Sequence, residues 1–278
     1  MTKFHLISDC HINFADLVLP GGQYLIMAGD MVEAGHLRIA DNAKKDVFLA
    51  DRYRRFFKEE MCKYEKVIYV CGNHEHYSNA YENTFIRLKD ELPTNVVLLE
   101  NESIQIEDVH IFGATLWTDF NRNDPMTHQV IADYMNDFRG GIKREHSAFI
   151  KTAYGHGYWT NGFTTQFAAG IFKETISKLN AFCELHKDDK VLVVTHHAPT
   201  ELSISDEFKS LFHQNGGYHS RLGDFIIDRP CIKAWCHGHV HHFNHYQMGD
   251  HCSVISNPRG YFGHETIADN FSQYEFEV

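Results

Sequence analysis

The chain has 278 residues, 43% apolar and 23% charged, ordinary globular usage that excludes a disordered or fibrous polypeptide. No apolar run approaches the ~20 residues of a membrane helix, and Met1–Asp9 turns acidic too early to read as a signal peptide. The net charge of −11 argues against a general nucleic-acid binder, because such binding rests on cation–phosphate contacts.

Short β-rich runs recur along the chain, at Lys3–Ser8, Tyr24–Ala28, Val67–Cys71, Val96–Leu99, His110–Leu116, Val191–Thr195, Ala234–Cys236 and Cys252–Ser256. Most are continuously apolar, the pattern of strands covered on both faces by other layers. Helical spacing of apolar residues appears at Asp46–Tyr64, Ala80–Leu92 and Phe167–His186. Strand–helix alternation predicts an α/β fold. Residues 118–166 break the rhythm, being rich in Asn, Gly, Asp, His and aromatics. They read as a lid or insertion on a single domain spanning 1–278. Trp117, Tyr154, Tyr158, Trp159 and Phe163 in or beside that segment read as a satellite core, with base stacking as the alternative.

The seven cysteines form no C-x-x-C pair, so they read as reduced thiols of a cytoplasmic protein. The abnormal count is 21 histidines. Position makes some of them informative. The first strand ends in Asp9-Cys10-His11, the second in Gly29-Asp30, the third in Gly72-Asn73-His74-Glu75. Two later strands end in His196-His197 and in His237-Gly238-His239. Ligands of α/β sheets bind outside the carboxyl ends of strands, so the fold gathers these residues on one edge. Imidazole and hard oxygen without thiolate suit Mn²⁺, Fe or Zn²⁺. Seven donors exceed the needs of one ion and suit two that share a carboxylate. Such a pair clamps an in-line displacement at phosphorus, with a bridging hydroxide as nucleophile.

These motifs resemble the calcineurin-like metallophosphoesterases, whose pattern runs D-x-H, G-D-x-x-[DE], G-N-H-[DE], a strand-terminal His, then G-H-x-H. The sequence supplies Asp9-Cys10-His11, Gly29-Asp30-Met31-Val32-Glu33, Gly72-Asn73-His74-Glu75, His196, and His237-Gly238-His239 preceded by Cys236. His-Ala-Pro at 197–199, residues 113–120 and Asn257-Pro258-Arg259-Gly260 resemble small bacterial and phage-type members. The resemblance implies an αββα sandwich with two mixed central sheets. It implies one metal held by Asp9, His11, Asp30 and His239 and a second by Asp30, Asn73, His196 and His237. In it, His74 acts on the substrate as an acid or cation. His197 is the alternative to His196. Arg259, Arg139 and His76 are expected to contact substrate, and Glu33 and Glu75 to orient ligating histidines. His241, His242 and His245 read as a solvated loop.

The reading is a dinuclear phosphoesterase, Mn²⁺ being the favoured metal, acting on a small phosphodiester or nucleotide-like phosphate. The alternatives are a phosphoprotein or phosphomonoester phosphatase, a nuclease, and a non-enzymatic scaffold. No membrane or nucleic-acid partner is expected.

Overall fold

A computed structural model describes residues 1–37, 44–151 and 157–278. The strands are β1 (Lys3–Ile7), β2 (Gly22–Ala28), β3 (Tyr64–Val70), β4 (Val96–Leu99), β5 (Glu102–Ile106), β6 (Val109–Ala114), β7 (Lys143–Lys151), β8 (Gly157–Gly162), β9 (Lys190–Thr195), β10 (Ile232–His237), β11 (Asn244–Met248), β12 (Cys252–Ser256) and β13 (Tyr274–Glu277). The longer helices are α1 (Lys44–Arg55), α2 (Thr84–Glu91), α3 (Pro125–Tyr134) and α4 (Thr165–Leu185).

The strands form two mixed sheets, ordered β13-β1-β2-β3-β4 and β11-β12-β10-β9-β6-β5, and a separate β7-β8 ribbon. Within the first sheet β1 through β4 run parallel and β13 antiparallel. Side chains on successive strand residues point to opposite faces, and both faces are apolar. In β2, Ile26 and Ala28 enter the layer between the sheets beside Leu192 and Val194 of β9. Leu25 and Met27 face outward onto Leu49, Tyr53 and Phe57. Helix α4 covers the outer face of the second sheet with Leu179 and Cys183 against Val191, Val193 and Trp235. The result is the αββα sandwich, with both sheets' central strands buried as their continuous apolar runs require.

The sequence misplaced a few elements. Tyr64 opens β3 instead of ending a helix. The β7 and β8 strands of the ribbon were not expected, nor were β5, β11 and β13, and these last three sit at sheet edges. Each exposes part of its length to solvent, so none carries the continuous apolar run of a central strand. The described residues within 118–166 form a helix, the β7–β8 ribbon and packed aromatic residues. Asp124 caps α3 by accepting the Thr127 N–H at 2.8 Å, and Pro125 supplies a preset first turn. Trp117, Phe120, Ile131, Ile142 and Phe163 build a core of their own. Trp159, by contrast, is 72% exposed and pairs with Phe149 across the ribbon. Tyr154 and the Tyr158 side chain lie outside the described residues. All seven cysteines are free, and all but Cys62 are buried.

Candidate metal centre

The carboxyl ends of β1, β2, β3, β9 and β10 lie along one edge of the sandwich, and the loops after them converge. Asp30 stands at the middle. Its Oδ2 lies 3.4 Å from His196 Nε2, 3.9 Å from His11 Nε2 and 4.0 Å from His74 Nε2. Its Oδ1 accepts the His74 backbone N–H at 2.8 Å. Three donor groups meet here: Asp9 with His11 and His241, His11 with Asp30 and His74, and Asp30 with His196 and His239. His11 Nε2 and His241 Nε2 face each other at 3.2 Å, and His241 Nε2 is 3.5 Å from Asp9 Oδ1. Asn73 Oδ1 is 3.0 Å from His196 Nε2.

The backbone that presents these groups is strained. Asp9, His11, Asp30, His239 and His241 all have positive φ, between 41° and 70°, a region that non-glycine residues enter at a cost. The Asp9 and His11 side chains therefore converge through a tight left-handed loop and not through extended backbone. Two glycines permit the approach. A Cβ on Gly29 would lie 2.3 Å from the His196 ring, and one on Gly72 would lie 2.1 Å from Asp30 Oδ1.

Glu75 holds the loops. Its fully buried carboxylate accepts the backbone N–H groups of Asp30, Met31, Val32 and Gly72 and the Tyr69 hydroxyl. It thus fixes the backbone around Asp30 and does not orient a histidine, as had been expected of it. Glu33 contacts His36 and Asn13.

Two of the imidazoles are oriented through their second nitrogen. His196 Nδ1 donates to the Ala28 carbonyl at 2.8 Å. His241 Nδ1 donates to Glu265 at 2.8 Å. Asn73 Nδ2 donates to buried Asp137 at 2.9 Å, which turns its carbonyl oxygen toward His196. Partners of this kind fix tautomer and direction for a metal ligand. Burial opposes ionisation of Asp30, yet the imidazoles of His196 and His74 hold it well below the usual carboxylate range. Burial pushes His11 and His239 down, favouring the neutral imidazole that a metal requires.

Several expected contacts are corrected. His237 is still within β10, and its Nε2 pairs with Ser203 Oγ at 2.9 Å while Nδ1 donates to the Gly238 carbonyl. It joins none of these donor groups, whereas His241 does. The register is therefore two residues later than expected. Gly238-His239-Val240-His241 matches G-H-x-H with its glycine in place, so Cys236 is no departure from the pattern. His76 is fully buried, bonded to Thr84 Oγ1 and stacked on Tyr81. Arg259 is 4% exposed and donates to the carbonyls of Cys10, Ala15 and Asp16, bracing the loop behind His11. Arg139 is exposed and does not line the cavity over Asp30. His197 packs on Trp117 and donates to the Thr115 carbonyl, leaving His196 to face Asp30.

Sequence reasoning missed Glu265, Asp137 and Tyr261. Tyr261 lies over the His11 ring at 4.3 Å and brings its hydroxyl to 3.3 Å from His74 Nε2. His74 itself stacks on Tyr77 at 4.3 Å. The cavity above these groups measures about 460 Å³.

The residues fit a metal centre. Asp9 Oδ2 and His239 Nε2 are buried with no hydrogen-bond partner, a costly state for polar atoms unless something else satisfies them. The fold and these candidate metal-binding clusters agree with the family: the chain belongs to the calcineurin-like phosphoesterases, whose model matches residues 2–243. It is thereby a hydrolase of phosphoric esters. A protein of Acanthamoeba polyphaga mimivirus designated L509 is 24% identical over 240 residues, covering 80% of this chain and 77% of its own. Among solved structures, the phosphopantetheinyl hydrolase PptH of Mycobacterium tuberculosis superposes with a TM-score of 0.59 at 17% identity, covering 93% of this chain and 89% of that one. A dimetal phosphatase from Danio rerio gives 0.50 at 14% identity, with 98% and 91% covered. At these identities the structures attest the shared fold.

Proposed function

We propose that the protein is a two-metal phosphoesterase of small phosphate esters, with diesters or nucleotide-like phosphates as the favoured substrates. The observation that carries this reading is the ring of donors gathered around Asp30, whose Oδ2 lies within 4.0 Å of His196, His11 and His74 and which links the groups on either side. Asp9, His11 and His241 would hold one ion. Asn73, His196 and His239 would hold the other, and Asp30 would bridge them. Imidazole with carboxylate and carboxamide oxygen favours Mn²⁺, with Fe or Zn²⁺ also suited to the set. Bound there, two such ions supply Lewis-acid stabilisation of phosphoryl oxygens and a water nucleophile near neutral pH.

The chain's own residues do the rest. Asp30 sets the spacing of the two halves, and Glu265 and Asp137 aim His241 and Asn73. His74 is no ligand in this reading. Its stacking on Tyr77 and its approach to the Tyr261 hydroxyl hold Nε2 at the cavity floor, where it gives a proton or positive charge to the leaving oxygen. A cavity of about 460 Å³ is the size of a small-molecule site. Tyr77, Tyr134, Tyr218 and Tyr261 line it and offer ring faces to a base or other flat group. Among the described residues no helix is long and apolar enough to cross a membrane, and the unpaired cysteines fit a reducing cytoplasm.

The test is a panel of phosphate mono- and diesters, cyclic nucleotides included, assayed after chelation and after Mn²⁺ is restored. Activity that vanishes with chelator and returns with Mn²⁺ is expected. Full activity in metal-free protein contradicts the proposal.

A further inference from the structure

A second cavity, of about 490 Å³, lies beside the first. Tyr77 lines both. The turn at 134–144 forms the rest of the partition, with Tyr134–Asp137 facing the metal site and Gly140–Arg144 facing the second cavity. The partition is tightly packed at Gly141, where a Cβ would come within 2.6 Å of the Asn136 carbonyl oxygen and 3.4 Å of the Tyr77 ring.

The two cavities have opposite chemistry. The first is lined by Asp30, Asp137 and Glu265 and by no lysine or arginine. The second is lined by Arg87, Lys143 and Arg144, with the carboxamides of Asn79, Asn83 and Asn161, and by no carboxylate. In a chain of net charge −11, this concavity gathers three cationic side chains, of which Arg144 is ion-paired to Glu82. A cleft of one sign focuses the field and draws an oppositely charged group. Arg144 is held in place: its Nε donates to Glu82 at 3.1 Å and its guanidinium lies 3.8 Å over the Phe167 ring. Fixed cations of this kind with amide donors suit a phosphate or diphosphate.

We propose that this basic cavity binds a second phosphoryl group of the substrate, carried on the leaving-group side. The proposal rests on the phosphoesterase reading above. The leaving oxygen departs toward His74, and His74 is stacked on Tyr77, the side chain that borders the basic cavity. A leaving group that continues past Tyr77 brings its far end among Arg87, Lys143 and Arg144. The substrate class is therefore an ester with two phosphoryl groups, one cleaved at the metal site and one held as an anchor.

The test uses alkanediol bisphosphates of increasing chain length, each beside its monophosphate, with 4-nitrophenyl phosphate as the reference for the metal site. For the chain length that spans the partition, kcat/KM should exceed that of the monophosphate by about tenfold to a hundredfold, the effect of one charge-assisted contact. The gain should lie in KM. Lys143 is exposed, so Lys143→Glu spares the fold. It should lower the ratio of bisphosphate to 4-nitrophenyl phosphate kcat/KM by the same order, and Lys143→Arg should restore it. Equal kcat/KM for mono- and bisphosphate at every length, or a ratio unmoved by Lys143→Glu, overturns the anchor site alone. Failure of the Mn²⁺-loaded protein to cleave any member, the reference and the diester bis(4-nitrophenyl) phosphate included, overturns the phosphoesterase reading. The anchor site is then still decided by calorimetry with inorganic diphosphate on chelated protein, where binding weakened by Lys143→Glu supports it and no binding refutes it.

Discussion

Glu265 lies 24 residues beyond His241, outside every motif of the sequence, yet its carboxylate is the partner that aims the imidazole. Its oxygens stand 3.1 and 2.8 Å from His241 Nδ1, and one of them also accepts the Tyr261 N–H at 3.0 Å. The charge beside Nδ1 overcomes the effect of burial and holds the His241 pKa above its ordinary value. The same pairing raises the basicity of Nε2 toward a cation. Glu265→Ala removes both the orientation and the charge. Removing such a partner typically costs 10–100-fold in metal affinity, or about 1.4–2.7 kcal/mol. Glu265→Gln keeps an acceptor for Nδ1 and for Tyr261, so its loss should be smaller. Mn²⁺ titration by calorimetry reads both variants, and thermal melts of the chelated proteins separate metal affinity from stability. A comparison variant, His237→Asn, should cost about 1 kcal/mol of stability through its lost bond to Ser203 and leave Mn²⁺ affinity unchanged. Wild-type affinity in Glu265→Ala, or a larger loss in His237→Asn, would refute the two-residue shift of register.

Three further outcomes follow from the same geometry. Asp30→Asn should lower the occupancy of both ions together with activity; two ions per chain by elemental analysis would remove Asp30 from the bridging role. His74→Ala should keep both ions while kcat falls about 10²–10⁴-fold for esters with poor leaving groups, and by less for a nitrophenyl ester; equal losses on both would assign His74 to charge stabilisation instead. Burial pushes the Glu100 carboxyl up to about 7 from 4.5, although Thr115 donates to it twice at 2.9 Å. A raised carboxyl pKa favours the folded state fully below about 4.5 and loses that contribution as pH rises through about 7. The melting-temperature advantage of Glu100→Gln over wild type should therefore grow from pH 4.5 to 7, and a constant difference would show that Glu100 is already ionised in the fold.

The central strands were legible because burial on both faces leaves continuous apolar runs, as in Leu25–Ala28 and Val191–Val194. The edge strands β5, β11 and β13 face solvent and pair on one side only, so their sequences carry no such run. The proposed donors before residue 200 stand out in the sequence for a related reason: Asp9, Asp30, Asn73 and His196 each lie within three residues of the end of a buried strand. The last motif was ambiguous because His237, His239 and His241 alternate, and both 237/239 and 239/241 satisfy H-x-H. Strand-end logic chose the wrong pair. β10 continues through His237, whose ring is spent on Ser203, and the left-handed turn at His239 and His241 brings the later pair to Asp9 and Asp30. Gly238 was the signal that distinguished them. Asp137 and Glu265 could not be read from spacing, since each reaches the site through tertiary packing of a segment with no periodic pattern.

The central claim is that two ions share Asp30, with His241 rather than His237 completing the set. Anomalous diffraction from crystals of the Mn²⁺-loaded protein tests it directly. Two peaks about 3.5–4 Å apart are predicted, one contacting Asp9, His11 and His241, the other Asn73, His196 and His239, with Asp30 between them. A single peak, or a peak coordinated by His237, would contradict the account.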